Sequence, residues 1–454
     1  MQKALLIKAV LVTIITAVLQ IPLWMIDGIV KERAARRHAM LHELAEESYA
    51  PQLLTGPIPA IPYTEELDDD RAVVAGAKSI EKSRIERVAR FFPSEARTEG
   101  VAAVETKSRG LFKARVFDWH ASMRGEFAFD ALVDVPRSRP DSRIVWGKPI
   151  VSLLLRDPRG LSEPPSMEWN GTPVTIGRGS GFASAAGGVH AAISEFDANA
   201  PQRLSYAVTL DLHGTETLAI IPLAATDRVT IKTDWPHPSF GGQFLPEAGS
   251  LKQSAQGFDA QWSVTALASN AQQQTLAWLD GKSECRELCA DRLEVRFFEP
   301  VDIYALSDRA LKYGFLFVVF TFGAFALFEV LQALPIHPLQ YLLVGLALAT
   351  FFLLLIALSE HVAFGVAYGL AASACVALIG FYLRAALGGM RRGVAFAALL
   401  ASLYGALFGL LVSEDNALLL GSLLVFGLIA TAMMLTRDFD WYSLRRRRSS
   451  AETI

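Results

Sequence analysis

From Tyr313 to Phe381 the chain has no lysine and no arginine, and its only acidic residues there are Glu329 and Glu360. A helix of a water-soluble core keeps a polar face opposite its apolar stripe. So long a stretch with only two charged residues excludes that design. Cysteine is scarce as well, three in 454 residues, which excludes a disulfide-dense scaffold. His38 and His42 are spaced i, i+4 but lack the Glu of a zinc-protease motif, and they read as a solvated helix face. The glycine-rich stretch 177–181 lacks the Lys-Ser/Thr of a phosphate-binding loop, and no Gly-x-Ser-x-Gly elbow precedes a helix. Nothing here calls for an enzyme, a cofactor or a metal. The net charge of -3 is close to balance, and no basic stripe interleaved with aromatics appears, so a nucleic-acid partner is not expected. No internal repeat is visible.

What is present is apolar length. Runs of about 20 apolar residues match the thickness of a bilayer core, and helices satisfy their own backbone there. Five such helices are expected at 311–332, 339–358, 362–383, 394–412 and 417–436. Two prolines and His337 interrupt the series near 334–338. A polar turn at Ser359, Glu360 and His361, a Gly/Arg loop at 384–393 and an acidic hairpin at 413–416 supply the other breaks. Near the start, Lys3 and Lys8 precede an apolar run from 9 to 26 that is too long for a signal-peptide core and has no small-residue cleavage site. It reads as an uncleaved anchor, the first of six spans. Arg437 and Arg445–Arg448 follow the sixth span, and Arg384, Arg391 and Arg392 fall on the same side. The positive-inside rule then puts both termini in the cytoplasm. Lys31, Arg33, Arg36 and Arg37 point the other way and are overruled, because long domains translocate largely regardless of charge.

Between the anchor and the membrane block the pattern changes. Residues 27–50 read as a helical stalk. Residues 51–62 carry four prolines and read as extended, with any pairing confined to a sheet edge. Beyond them, short runs such as 85–92, 111–119, 126–132, 150–155, 204–212, 228–233, 258–264 and 293–298 are rich in β-branched and aromatic residues. Turn signals separate them, Asn170-Gly171 being the clearest. The expected fold is six transmembrane helices with a large all-β extracytoplasmic domain, an antiparallel sandwich or open barrel. The divisions are 1–26 anchor, 27–50 stalk, 51–304 β domain, 305–436 five-helix block and 437–454 basic cytoplasmic tail.

Several groups stand out as site candidates. Trp235, Pro236, His237, Pro238, Ser239, Phe240 and Phe244 form an aromatic, proline-fixed corner that is structural, a partner site, or both. Glu329, His337, Glu360, His361, Arg384 and Asp415 are the polar groups in or beside the spans. Such groups are costly in a membrane and default to a functional hypothesis; the plain alternative is charge pairing, Glu329 with Arg384. Cys285 and Cys289 read as a disulfide across a short loop or as free thiols, a metal site lacking further ligands. The glycine pairs Gly365/Gly369 and Gly405/Gly409 read as helix-packing faces within the bundle, with dimerisation as the other reading.

The chain resembles the CreD family of bacterial inner-membrane proteins, often called cell envelope integrity proteins. The residues that carry the resemblance run through nearly the whole chain. The most specific are Trp235 to Phe240 with Gly242 and Phe244-Leu245-Pro246. Leu53 with Gly56-Pro57, Ala60-Ile61-Pro62, Gly147-Lys148-Pro149, and Asp157 with Arg159-Gly160 belong to the same set. So do Ser307-Asp308-Arg309-Ala310, Lys312-Tyr313, His337-Pro338, Gln340-Tyr341-Leu342-Leu343-Val344-Gly345, Leu358-Ser359-Glu360-His361, Asp415 to Gly421 and Asp440-Trp441-Tyr442. The segment around Cys285 and Cys289 departs from the family pattern. The resemblance implies a protein of the bacterial inner membrane, linked to envelope stress and to a two-component response that also bears on β-lactam resistance and colicin tolerance. It implies no catalytic residues. The leading reading is a non-enzymatic protein that supports or monitors envelope integrity through its outer β domain. The expected partners are the lipid bilayer and an envelope protein, lipid or peptidoglycan ligand. The alternative is a small-solute or lipid transporter gated by the β domain.

Overall fold

The structure is a computed structural model that describes residues 2–68, 82–110, 112–129, 135–140, 142–185, 187–194, 196–197, 200–282, 291–297, 303–332, 336–386, 389–413 and 416–437. The chain divides into two compact units, Met1–Ala39 with Val301–Ile454, and Met40–Pro300.

In the first unit, α1 (Gln2–Val18) gives way at Leu19 to α2 (Gln20–Glu47), whose last residues belong to the second unit. Pro22 accounts for the break, since it has no N–H to offer the carbonyl of Val18. Helix α3 (Ala271–Leu279) lies in the second unit. The membrane block then follows as α4 (Ile303–Gln332), α5 (Pro338–Ser359), α6 (Phe364–Ala386), α7 (Met390–Val412) and α8 (Ala417–Thr436). Among the described residues five stretches are long and apolar enough to cross a bilayer: Val10–Met40, Ile303–Leu327, Pro338–Ser359, Phe364–Ala385 and Met390–Val412. In α8 the apolar stretch Leu419–Met434 is shorter. Helix α4 starts well before the expected residue 311 because Tyr304, Leu306, Ser307 and Ala310 are buried. On its polar side Asp308 meets Lys312 one turn on, at 2.6 Å.

Helix α6 packs between α5 and α7, and α4 packs against α5 and α7. Phe325, Tyr341, Phe351, Phe396 and Tyr404 are fully buried among them. Close approach occurs at Gly345, where a Cβ would stand 2.1 Å from Leu19 Cδ1 and 2.8 Å from the Phe322 ring. The expected packing glycines do not serve that purpose. A Cβ on Gly369, Gly405 or Gly409 would meet nothing within 4 Å, and Gly365 only touches Phe408. These small residues leave a cleft of about 360 Å³ between α6 and α7, with Tyr368, Ser373 and Tyr404 on its walls.

The second unit is a two-layer sandwich. In chain order its strands are β1 (Gln52–Asp68), β2 (Lys82–Arg90), β3 (Glu95–Arg109), β4 (Phe112–Phe129), β5 (Arg143–Trp146), β6 (Ile150–Leu155), β7 (Ser166–Trp169), β8 (Thr172–Pro173) and β9 (Ile176–Arg178). They continue as β10 (Gly188–Ala192), β11 (Gln202–Thr215), β12 (Thr217–Ile221), β13 (Thr226–Thr233), β14 (Phe240–Gly242), β15 (Lys252–Ser254), β16 (Gly257–Thr265) and β17 (Leu293–Arg296). One sheet runs β14-β17-β12-β1-β6-β10-β9, with β2 and β5 also on β1. The other runs β15-β16-β13-β3-β4-β11-β7-β8. Alternate residues of both sheets meet in one apolar core that includes Phe117, Trp119, Phe127, Trp262 and Phe297.

Three expectations need correcting. The sheets are mixed, since β1 runs parallel to β12 and β3 parallel to β13. The domain is not all-β, because α3 covers the other face of the first sheet, with Ala271 and Leu279 on Leu53, Ile58 and Ile221. The proline-rich strand β1 is central rather than at an edge. Its prolines sit where the ladders are interrupted. Pro57 lies in the bulge between Thr55 and Ile58, and Pro59 lies beyond the last pair with β2, Ala60–Arg90. Pro62 falls between the end of pairing with β6, Ala60–Ile150, and the start with β5, Tyr63–Trp146. None of these positions needs a donor, so a central strand tolerates them. The Asn170-Gly171 signal holds: φ values of 49° and 77° join β7 to β8 in the left-handed region that a tight hairpin requires.

Candidate functional site

The aromatic corner is a crossover between the two sheets. It leads from β13 in one layer to β14 at the edge of the other. Trp235 is half-buried against the core, and the guanidinium carbon of Arg115 lies 4.8 Å from its ring centre. Its edge faces His237, 5.6 Å between centroids. Phe240 sets its edge on Phe258 and Trp262, each at 5.6 Å. The Trp262 indole N–H donates to Phe244 O at 3.2 Å, Gln253 Nε2 to Pro236 O at 2.9 Å, and Arg296 N–H to Ser239 O at 2.8 Å. At Gly242 φ is +78° and a Cβ would stand 2.1 Å from Arg292 O, so only glycine fits. Pro238 fixes φ just before β14. Among its large apolar side chains Leu245 is strongly exposed, at 69%. Trp235→Ala is expected to cost about 2 kcal/mol, less than a fully buried Trp would, because half the ring and one cation–π contact are at stake. Thermal unfolding of the full chain in detergent checks this, and an unchanged midpoint would remove the packing role.

A second cluster lies where the chain leaves α2, around Asp157 and the 3₁₀ turn Pro158–Gly160. Asp157 is buried. It accepts the Ala50 N–H at 2.9 Å, the Arg159 N–H at 3.1 Å and the Arg159 guanidinium at 2.8 Å. Burial alone would raise its pKa; these donors outweigh it and hold the carboxyl below its ordinary range. Gln52 is buried beside it, donating to Asp157 O at 3.1 Å and His213 O at 2.8 Å. Thr215 Oγ1 donates to Tyr49 O at 2.7 Å, and the Tyr49 ring stacks on His213 at 5.0 Å. His213 Nε2 lies 3.0 Å from Ser162 Oγ and its Nδ1 3.5 Å from Asp118 Oδ1. That is the order of a hydrolase Ser–His–Asp array.

The polar groups of the helical unit each have a local partner or an end position. Glu329 accepts from the buried Tyr341 hydroxyl at 2.8 Å. The expected partner, Arg384, is exposed near the end of α6. The reason is packing: α4 and α6 have α5 as a common neighbour, and α5 supplies Tyr341. His337 is the N-cap of α5, its Nδ1 accepting from Leu339 N–H at 3.2 Å while Gln340 Oε1 accepts from His337 N–H at 3.1 Å. Glu360 caps the other end of α5, 8% exposed, with the Tyr304 hydroxyl at 3.2 Å and Arg33 Nε at 3.7 Å. His361 is exposed in the following turn. Asp415, Cys285 and Cys289 lie outside the described residues. Cys375 is buried in α6, its thiol 3.5 Å from Ala347 O. Among the described residues no group of acidic, His and Cys side chains could hold a metal ion.

The family model described as "Inner membrane protein CreD" matches residues 4–442. The Inner membrane protein CreD of Escherichia coli (strain K12) is 35% identical over 436 residues, covering 96% of this chain and 93% of that protein. The match takes in the N-terminal helices, the sandwich with its crossover and the helical block alike, so the chain belongs to the CreD family of inner membrane proteins.

Proposed function

We propose that this protein supports or monitors cell-envelope integrity through its β unit, without catalysing a reaction. In this reading it has six spans, both termini in the cytoplasm and residues 27–304 in the periplasm. The observation that carries it is the local commitment of the bundle's polar groups. Glu329 is held by Tyr341, Glu360 by Tyr304 and Arg33, and His337 by its own helix cap. Thr321, Thr350, Ser402 and Thr431 return their hydroxyls to their own helices. A solute route would need polar groups free at mid-membrane depth. The cleft between α6 and α7 is what favours the second reading, a small-solute or lipid transporter; its polar wall consists of Ser373 and two tyrosines.

Topology draws support from the basic residues Arg384, Arg391, Arg392, Arg437 and Arg445–Arg448. The contrary cluster after the anchor is partly neutralised, Lys31 by Asp27 at 2.6 Å, Arg36 by Glu32 at 2.5 Å and Arg33 by Glu360. A non-catalytic role draws support from the Ser162 array. An acyl-transfer site needs free N–H donors for the oxyanion. The N–H groups of residues 160–162 are spent: Gly160 N–H on Asp157 O, Leu161 N–H on Pro158 O and Ser162 N–H on Asp211 O. The partner expected is an envelope protein, lipid or peptidoglycan fragment met by the β unit. A reporter active only outside the cytoplasm should work when fused near Gly257 and stay silent when fused after Ser449; the opposite pattern would sink the topology. Crosslinking in intact membranes, with photoreactive groups at Leu245 and at Ser373 on the cleft wall, separates the two roles. Capture of an envelope component at Leu245 supports the proposal, and capture of a solute only from the α6–α7 cleft would replace it with transport.

A further inference from the structure

Resting on the reading that the β unit meets an envelope component, we propose that this component is peptidoglycan, and that its carboxylates seat on a ridge of three arginines. The ridge lies on the outer face of the sheet β15-β16-β13-β3-β4-β11-β7-β8. The two sheets differ in what covers them. The outer face of the first carries α3. On the second, every odd-numbered residue of β3 from Glu95 to Lys107 points outward and is exposed. Register sets Arg228 of β13 opposite Arg97 of β3, and Arg97 opposite Arg124 of β4. Three neighbouring strands thus carry arginine at one level, about 10 Å from end to end at ordinary strand spacing. Like charges directly opposite one another disfavour a sheet, so folding does not account for the ridge. Arg97 Nε lies 2.7 Å from Glu99 Oε1, but both groups are more than half exposed and the pair is weak. Arg124 and Arg228 are exposed and, among the described residues, have no ion-pair partner.

What flanks the ridge decides which anion fits it. The level on one side holds Glu95 opposite Glu126, and the level on the other holds Glu99. Acids on both sides repel a continuous phosphate array, whether a nucleic acid or the surface of an anionic bilayer. They admit a partner whose negative charges come singly among neutral polar groups. Hydroxyls for such groups stand level with Glu99: Thr230 on β13, Ser122 on β4, Thr209 on β11 and Ser166 on β7. On β13, β3, β4 and β11 the exposed large apolar side chain is Val101, so the face lacks the aromatic and aliphatic anchors of a protein–protein interface. A guanidinium takes a carboxylate through two parallel N–H···O bonds. A glycan with peptide side chains presents carboxylates at intervals among hydroxyls and amides, which is the pattern of this face in reverse.

Co-sedimentation of the full chain, in detergent, with purified peptidoglycan sacculi tests this. The unaltered chain should pellet with the sacculi. Arg124→Gln should weaken binding about fivefold, and Arg97→Gln, Arg124→Gln and Arg228→Gln together about fiftyfold. None of these changes should lower the thermal midpoint, because each removes a like charge from the row, so lost binding is not lost folding. Arg203→Gln lies on the same face, where Glu126 holds the arginine at 3.0 Å, and should bind as the unaltered chain does. Sacculi whose carboxylates have been amidated should retain nothing. No binding by the unaltered chain, equal retention of the triple variant, or retention that survives amidation overturns the proposal. Sedimentation does not depend on which side of the membrane the β unit occupies. Binding by a chain whose Gly257 reporter is silent supports the surface and refutes the topology; no binding by a chain whose reporter is active overturns the surface alone.

Discussion

Asp227→Asn is expected to stabilise the protein by about 2–4 kcal/mol at pH 8 and by almost nothing at pH 4. Asp227 is the second residue of β13, its side chain buried, 7% exposed. Among the described residues its hydrogen bond is from Ala224 N–H, at 2.6 Å. Burial raises its pKa to about 7, and that single donor only partly opposes the rise. Register puts Asp227, Ala96, Gly125 and Tyr206 in one row across four strands. The Tyr206 ring lies over Gly125, where a Cβ would stand 2.7 Å from its hydroxyl. That hydroxyl is buried and unbonded, and burial, with the charge of Asp227 second, pushes its pKa up too.

The sign follows from the raised value. Between about pH 4 and pH 7 the unfolded chain has released this proton and the folded one keeps it, so stability falls as pH rises through that window. Asparagine keeps the acceptor for Ala224 and removes the charge. Denaturant midpoints at pH 4.5 and pH 8 in detergent would read the difference, and an unchanged pH slope in the variant would exclude Asp227 as its source. Glu65 shows the opposite case. It is also buried. Burial would raise its pKa, but Ser142, the Ser138 N–H and hydroxyl, and the Arg139 N–H bring it to about 2. Its contribution is present above the ordinary glutamate range and fades only as pH falls towards 2.

These two carboxylates also mark what a sequence can and cannot convey here. The membrane helices were legible because burial in lipid needs only apolar length, and β6 because its apolar run is bounded by turn residues. Helix α3 was missed, since nine residues with one Trp and three Gln carry no strong period. Strand β1 misled because proline in a strand usually marks an edge. What rescued it, the ending of neighbouring strands beside Pro59 and Pro62, is a property of register. The same holds for Glu329. Its charge was visible, but Tyr341 as partner depends on α5 lying beside α4, and helix adjacency is written in side-chain shape rather than in spacing. His337 was read as a helix stop, and its role as a cap is the same fact seen from α5. The crossover at Trp235 was legible as a corner, whereas its task of changing sheets was not, since the layer of a strand is set by partners far along the chain.

Gly160→Ala should be the most damaging single methyl in the β unit's link to α2, at about 3 kcal/mol or more. The new Cβ would stand 2.3 Å from His213 O and 2.4 Å from Gln52 Nε2. Neither neighbour can yield cheaply. The carbonyl belongs to β11, which is hydrogen-bonded to β4 along its length, and it already accepts from Gln52. Gln52 is pinned from its other side by Asp157, whose N–H donates to Gln52 Oε1 at 3.3 Å. Backbone preference is not the cause, since the residue closes a 3₁₀ turn, Pro158–Gly160, without a positive φ. Steric exclusion is, so the cost should follow side-chain volume: serine about as harmful as alanine, valine worse. Gln52→Ala in the same chain opens the space beside Gly160 and should return about half of the loss, although it costs stability alone. A double-mutant cycle on thermal midpoints reads this coupling. Strictly additive losses would mean that the methyl is accommodated elsewhere, and that the cluster of Gln52, Asp157 and His213 is softer than its contacts require.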